Sequence, residues 1–120
     1  MLRKHTISFK HAFDGLVAAL STQPNYRIHL FLSALAIGGG FFFQIRYEEF
    51  LIIGLLVTMG LVIETVNTAI EETCDAIDEA IRPDIKVAKD TAAAAMLVFA
   101  IGSAVLAGVI FIPRIIQLFI

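Results

Sequence analysis

Residues 64–90 read ETVNTAIEETCDAIDEAIRPDIKVAKD, and their pattern decides how the rest of the chain must fold. The stretch begins inside an apolar run, residues 50–63, and ends just before another, residues 91–112. Within it Glu64, Asn67, Glu71, Asp75 and Asp78 recur at spacings of three, four, four and three. At about 100° per helical residue, all five fall within roughly 80° of one another. Such a helix carries one acidic edge, which starts in hydrocarbon and climbs into water.

Composition sets the solvent. The chain has 120 residues, room for one domain, with 58% apolar residues and a mean hydropathy of +0.85. Soluble chains hold about 45–50% apolar residues. Charged residues make up 17% and gather between the apolar runs. The expectation is an all-α integral membrane protein. Net charge is −2 and no dense basic arm is present, so nothing points to nucleic acid. The single cysteine, Cys74, has no partner for an internal disulfide, and no CxxC or Cys/His cluster suggests zinc.

Working outward, residues 1–26 read as an amphipathic segment. Arg3, Lys4 and His5 resemble the start of a signal peptide, but no unbroken apolar run or small-residue cleavage site follows. Phe9, Phe13, Leu16 and Leu20 share one helical face, suited to a membrane interface or to packing on the chain's own bundle. Gln23-Pro24-Asn25 ends the segment. Residues 28–45 form a first span, interrupted by few polar side chains such as His29 and Ser33, and its Gly38-Gly39-Gly40 permits close helix contact.

The second helix is predicted over residues 50–80. At 1.5 Å per residue it is about 46 Å long, and the hydrocarbon accommodates only about 30 Å of it. Its last turns must therefore project into water before Arg82-Pro83-Asp84 breaks it. A third span over residues 91–112 carries Ala100, Ala104 and Gly108 at four-residue spacing, a stripe suited to another membrane helix.

Positive charge orients the bundle. Arg3, Lys4, Lys10 and Arg27, with Arg82, Lys86 and Lys89, stand on one side against Arg46 and Arg114 on the other. The amino terminus and the acidic loop are therefore expected in the cytoplasm.

Depth sorts the ladder. Glu64 lies about 21 Å along the span from Phe50, roughly 9 Å inside the cytoplasmic boundary. An ionised carboxylate there costs about 2.5–3.5 kcal/mol on insertion scales, and its desolvation suits it to take a proton from a substrate. Glu71 and Asp75, nearer water, are hard oxygen ligands fit for magnesium held jointly with phosphates. Lys89, on the next helix, can neutralise phosphate charge. The established soluble frameworks are missing: there is no GxxxxGK[ST], no protein-kinase signature set, no GxSxG and no HExxH.

The run Glu64-Thr65-Val66-Asn67-Thr68-Ala69-Ile70-Glu71, then Asp75, then Lys89-Asp90-Thr91-Ala92-Ala93-Ala94, resembles the prokaryotic diacylglycerol kinase family of small three-span membrane lipid kinases. Asn25-Tyr26-Arg27-Ile28-His29 looks more like its undecaprenol kinase branch. The resemblance covers essentially the whole chain. It implies a homotrimer in the bacterial inner (cytoplasmic) membrane, with sites shared between subunits. It further implies that Mg-ATP phosphorylates a membrane lipid alcohol, undecaprenol or diacylglycerol. Carried over by position, Glu64 is the general base and Asn67 orients the reacting groups. Glu71 binds magnesium, Lys89 holds ATP phosphates, and Asp75 and Asp90 support nucleotide and metal. The departure is His29, where the diacylglycerol branch has a metal-binding carboxylate; it either contacts phosphate or substrate or leaves the metal to Glu71 and other groups.

Two other functions fit part of the pattern. An oligomeric proton or cation pathway would explain Glu64 but not Lys89-Asp90 or the acidic overhang. A non-catalytic assembly protein would explain the small-residue stripe alone.

Overall fold

The computed structural model describes residues 2–120, all of whose regular structure is helical. Four helices follow in order: α1 (Leu2–Thr22), α2 (Pro24–Phe42), α3 (Tyr47–Ile77) and α4 (Pro83–Gln117). Two of them, α3 and α4, are long and apolar enough to cross a membrane. The 19-residue α2, with Asn25, Arg27 and His29 in its first turns, does not reach that measure.

Proline sets two of the helix starts. Pro24 opens α2 and Pro83 opens α4, each after an extended residue, Gln23 (φ −103°, ψ 109°) and Arg82 (φ −107°, ψ 142°). Proline lacks an N–H, which the first helical turn does not need, and it forces its predecessor out of helical space. The break expected at Gln23-Pro24-Asn25 is thus one residue wide. Arg27 holds that corner: its guanidinium donates to Leu20 O (3.1 Å) and Ser21 O (2.8 Å), two of the unpaired carbonyls ending α1. The apolar face of α1 stays uncovered, with Phe9 78% and Phe13 66% exposed.

α3 ends at Ile77, three residues short of the predicted 80. Asp78 turns extended (φ −162°, ψ 124°), and its carboxylate accepts from Ala80 N at 2.8 Å, the local competition by which aspartate favours turns over helix. α4 begins eight residues before the apolar run of the third span, because the polar residues 83–90 take the helical turn that Pro83 nucleates.

α3 is the central element, and α2 and α4 both run antiparallel to it. An ion pair marks each end of the α3–α4 hairpin. Asp75 meets Lys89 at 2.9 Å, and Glu49 meets Arg114 at 2.7 Å. Twenty-six residues of α3 and 25 of α4 separate the pairs (75 − 49 and 114 − 89). At 1.5 Å per residue they stand about 38 Å apart, close to the thickness of a bilayer with its headgroups.

The apolar core sits at the Glu49 end. Ile45, Ile53 and Ile110 are buried there, packed by Phe43, Phe50 and Phe111. Gly40 admits this packing, since a Cβ would lie 2.7 Å from the Phe50 ring. Gly39 faces Phe111, whereas Gly38 faces open space, so close contact belongs to part of the glycine run.

Candidate active site

The other end of the bundle carries the acidic edge. Glu64 is 1% exposed and Asn67 is 7% exposed, while Glu71 is half-buried and Asp75 is in water. The edge therefore passes from interior to solvent over three turns of one helix. Along it Asn67 Nδ2 donates to Glu71 Oε1 at 3.3 Å, a bond that the four-residue spacing makes possible. Beyond it Lys89 reaches across from α4 to Asp75. Glu71, Asp75 and Lys89 thus form a half-exposed, mixed-charge cluster about two to three turns above a buried carboxylate.

Glu64 Oε2 and Asn67 Oδ1 are buried without a hydrogen-bond partner. A desolvated oxygen in that state costs about 1–3 kcal/mol, more if charged, so the fold maintains an unmet hydrogen-bonding capacity here.

A cleft of about 760 Å³ opens beside Glu64. α2 and α4 form its sides and α3 its back wall, through residues such as Ile53, Leu56 and Val57. Rings approach across it at both levels: His29 and Phe99 at 6.1 Å near Glu64, Phe43 and Phe111 at 6.2 Å at the far end. Between them Ala36, Ala100 and Ala104 leave the walls thin. Except for Asn25, His29, Ser33, Glu64 and Ser103, the lining is apolar. Ala100 and Ala104, two of the stripe expected to face another helix, thus line a cavity within the chain.

Two predicted site residues lie apart from the cluster. Asp90 is exposed and forms a close ion pair with Lys86 on its own helix. His29 packs on Gly60, whose Cβ would lie 2.9 Å from both the His29 and the Phe99 rings. Gly60 is one turn along α3 from Glu64, on the side away from Glu71, so His29 sits deeper than Glu64 and is not brought to Glu71. Asp78 is used by the turn after α3 and by Arg82, 3.7 Å away.

Among the described residues no three His, Cys, Asp or Glu side chains converge to cage a metal. What remains is a pair of hard carboxylates, Glu71 and Asp75, one turn apart beside a lysine. That donor set fits magnesium carried in on phosphates, the mode in which one or two carboxylates suffice.

This geometry can hold a polyphosphate at the water-facing end and an apolar chain in the cleft, with a carboxylate between. Residues 10–111 match the family described as prokaryotic diacylglycerol kinase. The chain belongs to that family. Its members are lipid kinases, and the chain is an enzyme of that class. It is 36% identical over 107 residues to an undecaprenol kinase of Bacillus subtilis, covering 89% of this chain and 87% of that one. It is 29% identical over 115 residues to a diacylglycerol kinase of Synechocystis, covering 95% of this chain and 66% of that one. The family match takes in the whole acidic edge, the Lys89-Asp90 pair and every residue lining the cleft except Ile115.

Sequence reasoning missed three features. Arg27 is a cap for α1, which no periodicity reveals. The Glu49–Arg114 clasp joins residues 65 apart. Ser103 Oγ is buried in the cleft wall without a partner; a lone hydroxyl inside an apolar run was its only signal.

Proposed function

We propose that this chain transfers the terminal phosphoryl group of ATP to the hydroxyl of a membrane lipid alcohol, with undecaprenol as first choice and diacylglycerol second. One observation carries the reading. The most deeply buried polar side chain, Glu64, holds an unpartnered oxygen at the head of an apolar cleft, about two to three turns from a carboxylate–lysine cluster in water.

In this mechanism the lipid chain lies in the cleft and its hydroxyl meets Glu64 Oε2. Glu64 takes the hydroxyl proton as the oxygen attacks the terminal phosphorus. A new P–O bond forms, the bond to the bridging oxygen breaks, and ADP leaves. Asn67, with its amide on Glu71 and its carbonyl oxygen free, orients the reacting groups. Lys89 exchanges Asp75 for phosphate oxygens, and Asp90 supports the nucleotide from the adjacent position. Glu71 and Asp75 would hold magnesium, which when bound supplies charge neutralisation on the phosphates. Burial makes the positioning and electrostatics effective, because they act where water does not screen them.

The same reading takes α2 as a third span, shortened by its polar first turns, with the acidic end in the cytoplasm of a bacterial inner membrane and three copies sharing their sites. The 38 Å between the two ion pairs, about one bilayer, and the uncovered apolar faces of all three helices support it.

The test is ADP release by purified protein in detergent with magnesium, comparing undecaprenol with diacylglycerol. Lipid-dependent release is expected. ATP-independent ion flux in liposomes, lost in Glu64→Gln, with no turnover of either lipid, would instead favour a proton or cation pathway.

A further inference from the structure

Ser33 and Ser103 stand on opposite walls of the cleft and leave their hydroxyls free. Seven other serine and threonine hydroxyls in these helices bond back to the carbonyl four residues earlier, at 2.6–2.9 Å: Ser21, Thr22, Thr58, Thr65, Thr68, Thr73 and Thr91. That is the default for a hydroxyl in an apolar helix, where nothing else accepts its proton. Ser33 and Ser103 make no such bond, and Ser103 Oγ is fully buried without any partner. Three buried side-chain atoms lack a partner among the described residues, and two of them, Glu64 Oε2 and Ser103 Oγ, belong to residues lining this one cleft.

Their depth follows from the helix register. His29, Gly60 and Phe99 lie level, because both rings press on the Gly60 Cα. Ser33 and Ser103 are each four residues beyond His29 and Phe99 on helices that run away from the acidic end. Glu64 is four residues beyond Gly60 on a helix that runs towards it. The serines therefore share one level, about 12 Å along the axis from Glu64. Side chains lean towards the start of their own helix, so Glu64 leans down and both serines lean up, shortening the gap between the oxygens. Apart from His29, and Asn25 at the cleft's mouth, the other lining residues, among them Leu56, Ala36 and Ala100, offer no polar side-chain atom.

We propose that Ser33 and Ser103 form a second polar subsite, which donates hydrogen bonds to an ester carbonyl a few bonds along from the lipid's reacting hydroxyl. A glycerolipid carries such an oxygen; a polyprenol carries none. The subsite is what gives this chain productive binding of a diacylglycerol despite its greater likeness to an undecaprenol kinase. Ser103 is a specificity-determining residue, since it touches the lipid remote from the reacting atoms. The inference rests on the lipid-kinase reading above and adds to it which lipids the cleft accepts.

The test compares wild type, Ser103→Ala, Ser33→Ala and Ser103→Thr with both lipids in the same micelles. In the alanine variants the ratio of kcat/KM for diacylglycerol over undecaprenol should fall about three- to tenfold, the value of one or two neutral hydrogen bonds. Ser103→Thr, which keeps the hydroxyl, should restore the ratio. An equal change for both lipids, or a wild type that uses undecaprenol alone, overturns the proposal. Binding of diacylglycerol labelled with ¹³C at its ester carbonyls provides a readout independent of turnover. The carbonyl infrared band should move to lower wavenumber in wild type and less in Ser103→Ala; an identical band in both overturns the subsite even if neither lipid is phosphorylated.

Discussion

Lys89 Nζ sits 2.9 Å from Asp75 Oδ1, joining the start of α4 to the last turns of α3 in a pair that water reaches from both sides. Exposed pairs of this kind contribute about 0–1 kcal/mol, so stability does not explain the arrangement. A lysine parked on a carboxylate beside Glu71 is ready to exchange it for phosphate. Lys89→Met should hardly move the thermal midpoint and should raise the KM for ATP about 10- to 100-fold, the worth of a charge-assisted hydrogen bond. A large loss of stability with an unchanged KM would make Lys89 a strut instead.

The clasp at the opposite end behaves differently. Arg114 donates to both oxygens of Glu49, at 3.1 and 2.7 Å, and Glu49 also accepts from Arg46 N at 2.8 Å. The carboxylate is largely buried and caps the start of α3, while Arg114 follows Pro113, which breaks the regular bonding of α4. Arg114→Met should cost about 2–4 kcal/mol, because Glu49 then loses the closer and less exposed of its two charged partners, keeping only Arg46 at 3.7 Å. Denaturation in mixed micelles checks this, and activity per folded molecule should stay within about twofold, as the clasp is about 38 Å from the cluster.

At Gly60 side chains of α2 and α4 both meet the backbone of α3. A Cβ there would lie 2.9 Å from the His29 and Phe99 rings, so Gly60→Ala must displace those two side chains. Overpacking of this kind costs about 1–3 kcal/mol. Because Gly60 is one turn from Glu64, lipid turnover should fall as well, with the KM for ATP little changed. Equal losses in lipid and ATP affinity would point to general unfolding.

Magnesium should bind with nucleotide, not before it. Two carboxylates with no third acidic or histidine ligand converging among the described residues make a weak site by themselves. Calorimetry with magnesium alone should show no saturable uptake at millimolar concentration, and uptake should appear once an unreactive ATP analogue is present. Saturable binding without nucleotide would require ligands from another subunit.

Much of this was legible in the chain. The ladder spacing placed Glu64, Asn67 and Glu71 on one edge, since helical period alone fixes that. The prolines marked where helices change, though they open α2 and α4 more than they close what precedes. Side chains whose partner depends on three-dimensional register were not legible. Asp90 adjoins Lys89 in sequence but turns to Lys86, one helical turn away. His29 stands where the resembling family has a metal-binding carboxylate, yet α2 carries it to Gly60 and into the cleft lining, away from Glu71. The cleft itself is a gap between α2 and α4, and no local pattern encodes a gap.

Glu64 is the centre of the proposed mechanism, and replacing it with glutamine tests that most directly. Glu64→Gln keeps the shape and the burial and removes only the basic oxygen. Steady-state ADP release with saturating ATP, magnesium and lipid should fall at least about 100-fold, with the fold and the thermal midpoint retained, as expected for loss of a general base. Turnover within about twofold of wild type would contradict the assignment and leave the buried carboxylate without a catalytic role.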